Sequence, residues 1–212
     1  RKLGWNLVGM HNMGSQASRI FMDTFEKAEK QPGILSARYR PLALDHNLNW
    51  SPGSIDMAAR LKDSVRFGLQ DTIFQQREVK GKRDEVIAAQ WGDLMHTMQP
   101  VKELLDKGVR FHLEGGDPWK RSPMKRIQEY VTRKDDQGRS WGPTQGIDRK
   151  TALLPSSRWA ARFIDEDKTL GSIEAGKRAD LVVFDGDFLA IPEDKIGTLS
   201  VSLTMVNGKA VY

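Results

Sequence analysis

Residues 39–47 read Tyr-Arg-Pro-Leu-Ala-Leu-Asp-His-Asn, a short apolar run that is followed by the potential metal ligand His46. A run of this kind, apolar and too short for a helix, is typical of a buried strand. The same pattern occurs twice more, in residues 7–10 before His11 and in residues 109–113 before Asp117. The sequence therefore predicts three strands that each deliver one potential ligand at their end.

The spacing of these three residues indicates how the strands are arranged. His46 follows His11 by 35 positions, and Asp117 follows His46 by 71 positions. One strand-plus-helix unit of a (β/α)8 barrel takes about 30 residues, since about 250 residues make eight units. The ligands would then lie on strands n, n+1 and n+3, and catalytic residues of such barrels gather at the C-terminal ends of the strands. An α/β barrel would thus bring the three residues together.

The remaining elements fit repeated strand-helix units followed by a β-rich end. A strand without an obvious ligand is predicted at residues 65–69, and Ser15 is the predicted N-cap of the first helix. The predicted helices cover residues 15–30, 54–62, 101–107, 119–133 and 149–163, the last of them kinked or divided at Pro155. Residues 75–93 are interpreted as an active-site loop region with some helix, within a loop segment 71–98 on which the choice of substrate depends.

From residue 170 onwards the sequence predicts turns and strands. Residues 179–184 form a β-branched-rich run, and Asn207-Gly208 separates the alternating runs 201–206 and 209–212. Asn-Gly between two such runs is the strongest short signal for a β-hairpin. We therefore expect a division into residues 1–169, a part of a barrel, and residues 170–212, a β-module.

The composition limits the chemistry and the partners. There are no cysteines, so a metal ion would bind through nitrogen and oxygen ligands. The formal net charge is +5, and its basic residues are dispersed, which favours solvated loops over a nucleic-acid partner. No apolar run approaches the ~18 residues of a membrane span, and no signal peptide is visible, so we expect no membrane partner. The compartment stays open, and because the chain begins with Arg1 we expect further sequence upstream.

Five stretches carry a resemblance to a known family. Residues 171–185, Gly-Ser-Ile-Glu-Ala-Gly-Lys-Arg-Ala-Asp-Leu-Val-Val-Phe-Asp, resemble a signature of the amidohydrolase superfamily, and residues 204–212 are similar to the C-terminal end of those enzymes. The motifs around the three ligands resemble strands 5, 6 and 8 of the amidohydrolase 3 (YtcJ-like) family, in residues 4–14, 45–47 and 108–119.

The resemblance implies a fold and a chemistry. It implies the C-terminal half of a (β/α)8 TIM barrel, with strands 5–8 in residues 1–169, plus strands of a small β-sandwich in residues 170–212. It also implies a hydrolase of amide or cyclic amide C–N bonds in small-molecule substrates. The metal ligands would be His11, His46 and Asp117, the expected divalent ion would be Zn²⁺, and Asp117 would also be the general base.

The resemblance also indicates what this chain lacks. The family's strand-1 His-x-His pair and its mid-barrel Lys or Glu ligand do not occur here, so we expect a fragment or cleaved chain that needs its N-terminal half or a partner chain. Within the matched part, this chain has residues of its own at three family positions, namely Ser15 for Asp, Asp45 for Glu and Gly116 for Ser.

Several alternatives stay open at the level of sequence. A single His at a strand end is more often a satisfied polar residue than a ligand, and His112 is predicted to pack in the core or the barrel wall. His96 and Trp119 are weaker predictions for substrate contacts. The chain could also be a degenerate, non-catalytic relative that folds only by association with itself or another chain, because a half barrel leaves strand edges open.

Overall fold

A parallel sheet forms the centre of the molecule. In the computed structural model, which describes residues 9–31, 41–70, 98–114 and 122–212, four parallel strands lie in the order β1-β2-β3-β4. They are β1 (Met10–Asn12), β2 (Leu42–His46), β3 (Val65–Gln70) and β4 (Phe111–Glu114). The predicted α/β class, with strands at positions n, n+1 and n+3, is confirmed.

Six α-helices lie in the described part of the chain, three of them between the parallel strands and three after β4. They are α1 (Ser15–Glu29), α2 (Pro52–Leu61), α3 (Val101–Asp106), α4 (Pro123–Thr132), α5 (Arg149–Leu153) and α6 (Arg158–Phe163). The helix α2 begins with a capping box, in which Ser51 and Ser54 each bind the other's backbone N–H. The prediction that Ser15 caps α1 is wrong: Gly14 occupies the N-cap position and Ser15 is already helical, so its side chain makes no cap hydrogen bond.

The strand register separates an apolar face of the sheet from a polar one. Leu44 lies beside Phe67, which lies beside Phe111, and these three buried side chains face the helices. Because side chains alternate along a strand, the next residues face the other way. That row consists of His11 paired with Asp45, then Gly68 paired with His112. The sheet thus presents a polar row at its strand ends, on the face opposite Leu44, Phe67 and Phe111.

The helix that the sequence predicts over residues 149–163 is divided at Pro155 into α5 and α6, as expected. A short 3-10 turn, Leu154–Ser156, replaces the continuous helix, because proline lacks the N–H that the helix would need. The second piece, α6, lies against β4, with Trp159 edge-on to Phe111 and Phe163 against the ring of His112. This contact gives β4 an aromatic neighbour beside the polar row.

The C-terminal residues form a second, antiparallel sheet in the order β5-β6-β7, with β5 (Leu181–Phe184), β6 (Val201–Val206) and β7 (Lys209–Ala210). Asn207 and Gly208 connect β6 to β7 with φ values of 51° and 76°, which confirms the predicted hairpin. The linker before β6 contributes Phe188, Ile196 and Leu199 to the main core, and Gly197 donates a hydrogen bond to Gln128 of α4. A domain boundary at residues 169 and 170 stays a prediction.

No helix in the described part of the chain is both long and apolar enough to cross a membrane. Among the predicted site residues, Asp117, His96 and Trp119 lie outside the described residues, as do Gly116 and most of the predicted loop 71–98.

Candidate metal centre

The ends of β1 and β2 bring His11 and His46 together. His46 Nε2 lies 2.8 Å from His11 Nδ1, and the two rings meet edge to face with their centroids 4.2 Å apart. His11 is largely exposed and His46 largely buried, with side-chain exposures of 72% and 19%. The two imidazoles therefore present ring nitrogens to one point that solvent can reach.

The turn after β2 determines where His46 points. His46 and Asn47 have φ values of 70° and 34°, a left-handed conformation that residues other than glycine rarely adopt. The side-chain amide of Asn47 stabilises this turn by donating to the carbonyls of Leu44 and Gly68, at 2.8 and 3.0 Å. Backbone strain of this kind persists where the surroundings hold it, and it clusters at functional sites.

A buried polar network supports both histidines from below. Each histidine is followed directly by an asparagine, and Asn12 Nδ2 donates to Asn47 Oδ1 at 3.2 Å and to Ser18 Oγ at 2.8 Å. Ser18, on α1, donates in turn to Asn47 Oδ1 at 3.2 Å. All three side chains are almost fully buried, where the low dielectric strengthens hydrogen bonds. The network therefore fixes β1, β2 and α1 relative to one another.

Glu114, at the end of β4, is the main partner of His46, and the sequence analysis missed it. Its carboxylate accepts from His46 Nδ1 at 2.6 Å and from the His46 backbone N–H at 3.0 and 3.1 Å. Burial raises the pKa of Glu114, but the nearby His112 ring and the hydrogen bonds from His46 outweigh it and leave the pKa below its ordinary value. An ionised carboxylate can only accept, so His46 carries its proton on Nδ1 and leaves the Nε2 lone pair for a metal.

Asp45 and His112 complete the polar row around Glu114. Asp45 Oδ2 lies 3.9 Å from His11 Nε2, and His112 Nε2 lies 3.5 Å from Glu114 Oε1. Burial, followed by the neighbouring charge of Glu114, raises the pKa of Asp45 above its ordinary value. The His112 ring does pack against Phe163, in line with the predicted wall packing, but its Nε2 also faces the carboxylates. Five side chains with metal-ligating atoms therefore meet here.

Gly68 explains why β3 supplies no ligand. A Cβ at this position would lie 1.9 Å from Glu114 Oε1 and 2.7 Å from His112 Nε2. The side chains of β4 therefore occupy the space over Gly68. A sequence signal for Glu114 did exist, because it follows His112 by two residues and alternation puts both on one face.

The donor atoms fit a first-row divalent metal. Imidazole nitrogens and carboxylate oxygens bind Zn²⁺ at about 2.0–2.2 Å, so two nitrogens on one tetrahedral ion would lie about 3.4 Å apart. The 2.8 Å between the two histidine nitrogens needs only a small opening to reach that value. The carboxylate behind His46 is the arrangement that usually orients a metal-binding imidazole.

Comparisons with known proteins find relatives along nearly the whole chain. The chain is similar to an N-substituted formamide deformylase from Arthrobacter pascens, with 28% identity over 100% of this chain and 37% of that protein. It is 26% identical to the amidohydrolase YtcJ of Bacillus subtilis, over 97% of this chain and 37% of YtcJ. The chain thus spans little more than a third of the length of these relatives.

A solved structure shares the fold. It is an uncharacterized metal-dependent hydrolase from Pyrococcus horikoshii, which matches with a TM-score of 0.68 and 22% identity, over 91% of this chain and 36% of that one. The model of the Amidohydrolase family matches residues 7–212. Because that match takes in nearly the whole sequence, the chain belongs to the Amidohydrolase family.

Proposed function

We propose that this chain supplies the C-terminal part of a metal-dependent hydrolase that cleaves amide or cyclic amide C–N bonds. The observation that carries the proposal is the convergence of His11 Nδ1 and His46 Nε2 at 2.8 Å, with an ionised Glu114 behind His46. Under this proposal His11, His46 and Asp117 bind a divalent ion, with Zn²⁺ expected, and the upstream part of the protein completes the ligand set and closes the barrel.

Such an ion, when bound, polarises the carbonyl of the substrate and lowers the pKa of a water molecule towards neutrality. The residues of this chain prepare the site for that chemistry. Glu114 keeps the proton on His46 Nδ1, so that Nε2 is available. The network of Asn12, Ser18 and Asn47 holds the two strand ends at a fixed separation, which limits the reorganisation needed on binding.

The proposal assigns proton transfer to Asp117. A carboxylate next to the activated water takes its proton as general base and then delivers that proton to the leaving nitrogen. Protonation of the nitrogen is needed because an amide anion is a poor leaving group. His96 and Trp119 are proposed to contact the substrate from the neighbouring loops.

The relative from Arthrobacter pascens suggests a first substrate class. It is described as an N-substituted formamide deformylase, so we propose that N-substituted formamides be tested first, followed by cyclic amides. Hydrolysis of a formamide adds water across the C–N bond and releases formate and an amine. Both products can be quantified directly.

The experiment that tests the proposal is metal analysis together with amine release. The full-length protein should contain one divalent ion per chain. The His46→Ala variant should lose that ion, and its rate of amine release should fall by more than a hundredfold. Lys107→Ala, which removes an exposed cation of the Asp56–Lys107 pair, is the control and should change neither. A full-length protein without bound metal, or a His46→Ala variant with full activity, would overturn the proposal.

A non-catalytic relative that folds by association is the second candidate, and one observation favours an association surface. Several apolar side chains in or near the C-terminal sheet are exposed, including Ile173 at 88% and Tyr212 at 76%, together with Val182, Val183, Val206 and Val211. We propose that the upstream part of the protein, or a partner chain, covers them. A full-length protein that binds metal and hydrolyses amides would exclude this candidate.

A further inference from the structure

A second set of potential ligands lies next to the two converging histidines. Asp45, His112 and Glu114 each offer one ligand atom, and these three atoms lie within 4.8 Å of one another. The side chains are mostly buried, with exposures of 17%, 17% and 14%. Neither His11 nor His46 belongs to this set, although Glu114 also contacts His46.

The environment of His112 is the first indication that this set binds a cation. Its Nε2 is buried and has no hydrogen-bond partner among the described residues, since Glu114 Oε1 is 3.5 Å away. A buried polar atom without a partner costs free energy, so native structures rarely leave one without a reason. A cation that takes the Nε2 lone pair would supply the missing interaction.

The second sign is the pair of adjacent carboxyl groups. Asp45 and Glu114 each place a carboxylate oxygen within 4.8 Å of the other, and both side chains are mostly withdrawn from water. Placing like charges together in a low dielectric is unfavourable unless a proton or a cation lies between them. A divalent ion would compensate both charges at once.

The third sign is the space that β3 leaves. Gly68 lies opposite His112 in the register, and a side chain there would displace Glu114 and His112. An ion with ligands at about 2.1 Å separates its ligand atoms by about 3–4 Å. The three ligand atoms already lie within 4.8 Å of one another, so a small movement of the side chains brings all of them into a coordination sphere.

We propose that Asp45, His112 and Glu114 form a divalent-cation site of their own, adjacent to the His11–His46 pair. Glu114 joins the two sites, because its Oε2 faces His46 Nδ1 at 2.6 Å while its Oε1 faces His112 Nε2 at 3.5 Å. Two carboxylates and one imidazole suit borderline and hard divalent ions, namely Mn²⁺, Fe²⁺ or Zn²⁺. The site does not depend on the proposed hydrolase function.

The test is a metal count on the full-length protein. The chelator-stripped protein is titrated with Mn²⁺ and separately with Zn²⁺ by calorimetry, and the bound metal is measured after gel filtration. His112→Gln removes the ligand nitrogen, and Asp45→Asn keeps the shape of the side chain while removing its charge. His11→Ala reports on the neighbouring site, and Asp56→Asn, an exposed carboxylate paired with Lys107, is the matched control.

We expect two ions in the unmodified protein and in Asp56→Asn. His112→Gln and Asp45→Asn should each lose one ion or bind it at least tenfold more weakly, and His11→Ala should lose the other. Unfolding midpoints measured without metal show that each variant is folded, and Asp45→Asn decides the case if His112→Gln does not fold.

The other outcomes separate this inference from the proposed function. One ion that is lost in His112→Gln but kept in His11→Ala supports the inference and contradicts the His11–His46 site. One ion that is lost only in His11→Ala, or equally in both variants, overturns the inference while the proposed function stands. A full-length protein that binds no ion overturns both.

Discussion

The ends of the parallel strands and the C-terminal antiparallel sheet differ in which side chains they bury. At the strand ends, Asn12, Ser18 and Asn47 are buried and hydrogen-bonded to one another although they come from three elements. In the C-terminal sheet the strands are close in sequence, and Val182 and Val183 stay about half exposed. The first region is stabilised by contacts between distant parts of the chain, whereas the second is a local hairpin and a third strand whose apolar surface is uncovered.

Function is expected at the strand ends, and association with further protein is expected at the C-terminal sheet. Buried polar groups cost free energy unless they are hydrogen-bonded. A hydrogen-bonded network at the strand ends therefore indicates selection for a precise arrangement of those ends. Exposed apolar groups cost little in the isolated sheet, but together they mark a surface that favours contact with further protein.

The largest effect is expected for Asn47→Ala. The change removes donors to the carbonyls of Leu44 and Gly68 and leaves Asn12 and Ser18 without their shared acceptor. Several buried groups lose their partners, so the free energy of unfolding should fall by about 3 kcal/mol or more. Urea denaturation measures the loss. Asn49→Ala is the control, because the Asn49 side chain makes no hydrogen bond within the described residues, and a loss of similar size there would contradict the role of the network.

Addition of metal should stabilise the strand ends more than the C-terminal sheet. An ion at a hundred times its dissociation constant adds about 2.7 kcal/mol to the unfolding free energy of the protein that binds it. Thermal unfolding with Zn²⁺ and with excess chelator measures this shift, and His11→Ala should reduce it. Hydrogen exchange should slow in β2 and β4 and stay unchanged in β6. Slower exchange confined to β6 would contradict the expectation that metal binds at the strand ends.

Gly68→Ala should lower the free energy of unfolding by about 2 kcal/mol, because the added methyl group overlaps Glu114 and His112 at the strand ends. Metal affinity should also fall at least tenfold, since Glu114 can no longer hold His46. Calorimetry and urea denaturation give the two numbers. Gly53→Ala in α2 meets no atom within 4 Å, so it should be neutral or slightly stabilising. Equal losses in the two variants would show that the space over Gly68 has no special role.

The smallest effect is expected for Val183→Thr in β5. The side chain is about half exposed and threonine is also β-branched, so the unfolding free energy should change by less than about 0.5 kcal/mol. If further protein covers this sheet, the same change should weaken that association, which analytical ultracentrifugation of this chain with the upstream part measures. A destabilisation of more than about 1 kcal/mol would mean that Val183 packs inside the chain.

Sequence reasoning predicted the local features of both regions with good precision. The strand expected at residues 65–69 is Val65–Gln70, the helix break at Pro155 is present, and the hairpin turns at Asn207-Gly208. Each depends on a few neighbouring residues whose backbone preferences act alone. The wrong N-cap at Ser15 shows the limit, because Gly14 can adopt the extended cap conformation just as well and moves the helix start by one position.

The sequence by itself determined the order of strands and helices and the placement of His11 and His46 at strand ends, because short apolar runs and their spacing are properties of the chain. Only the tertiary structure decided that Glu114 holds His46, that Asp45 and His112 join it, and that Gly68 leaves them room. These relations cross three strands, and hydrogen-bond distances between such strands depend on packing that no local pattern encodes.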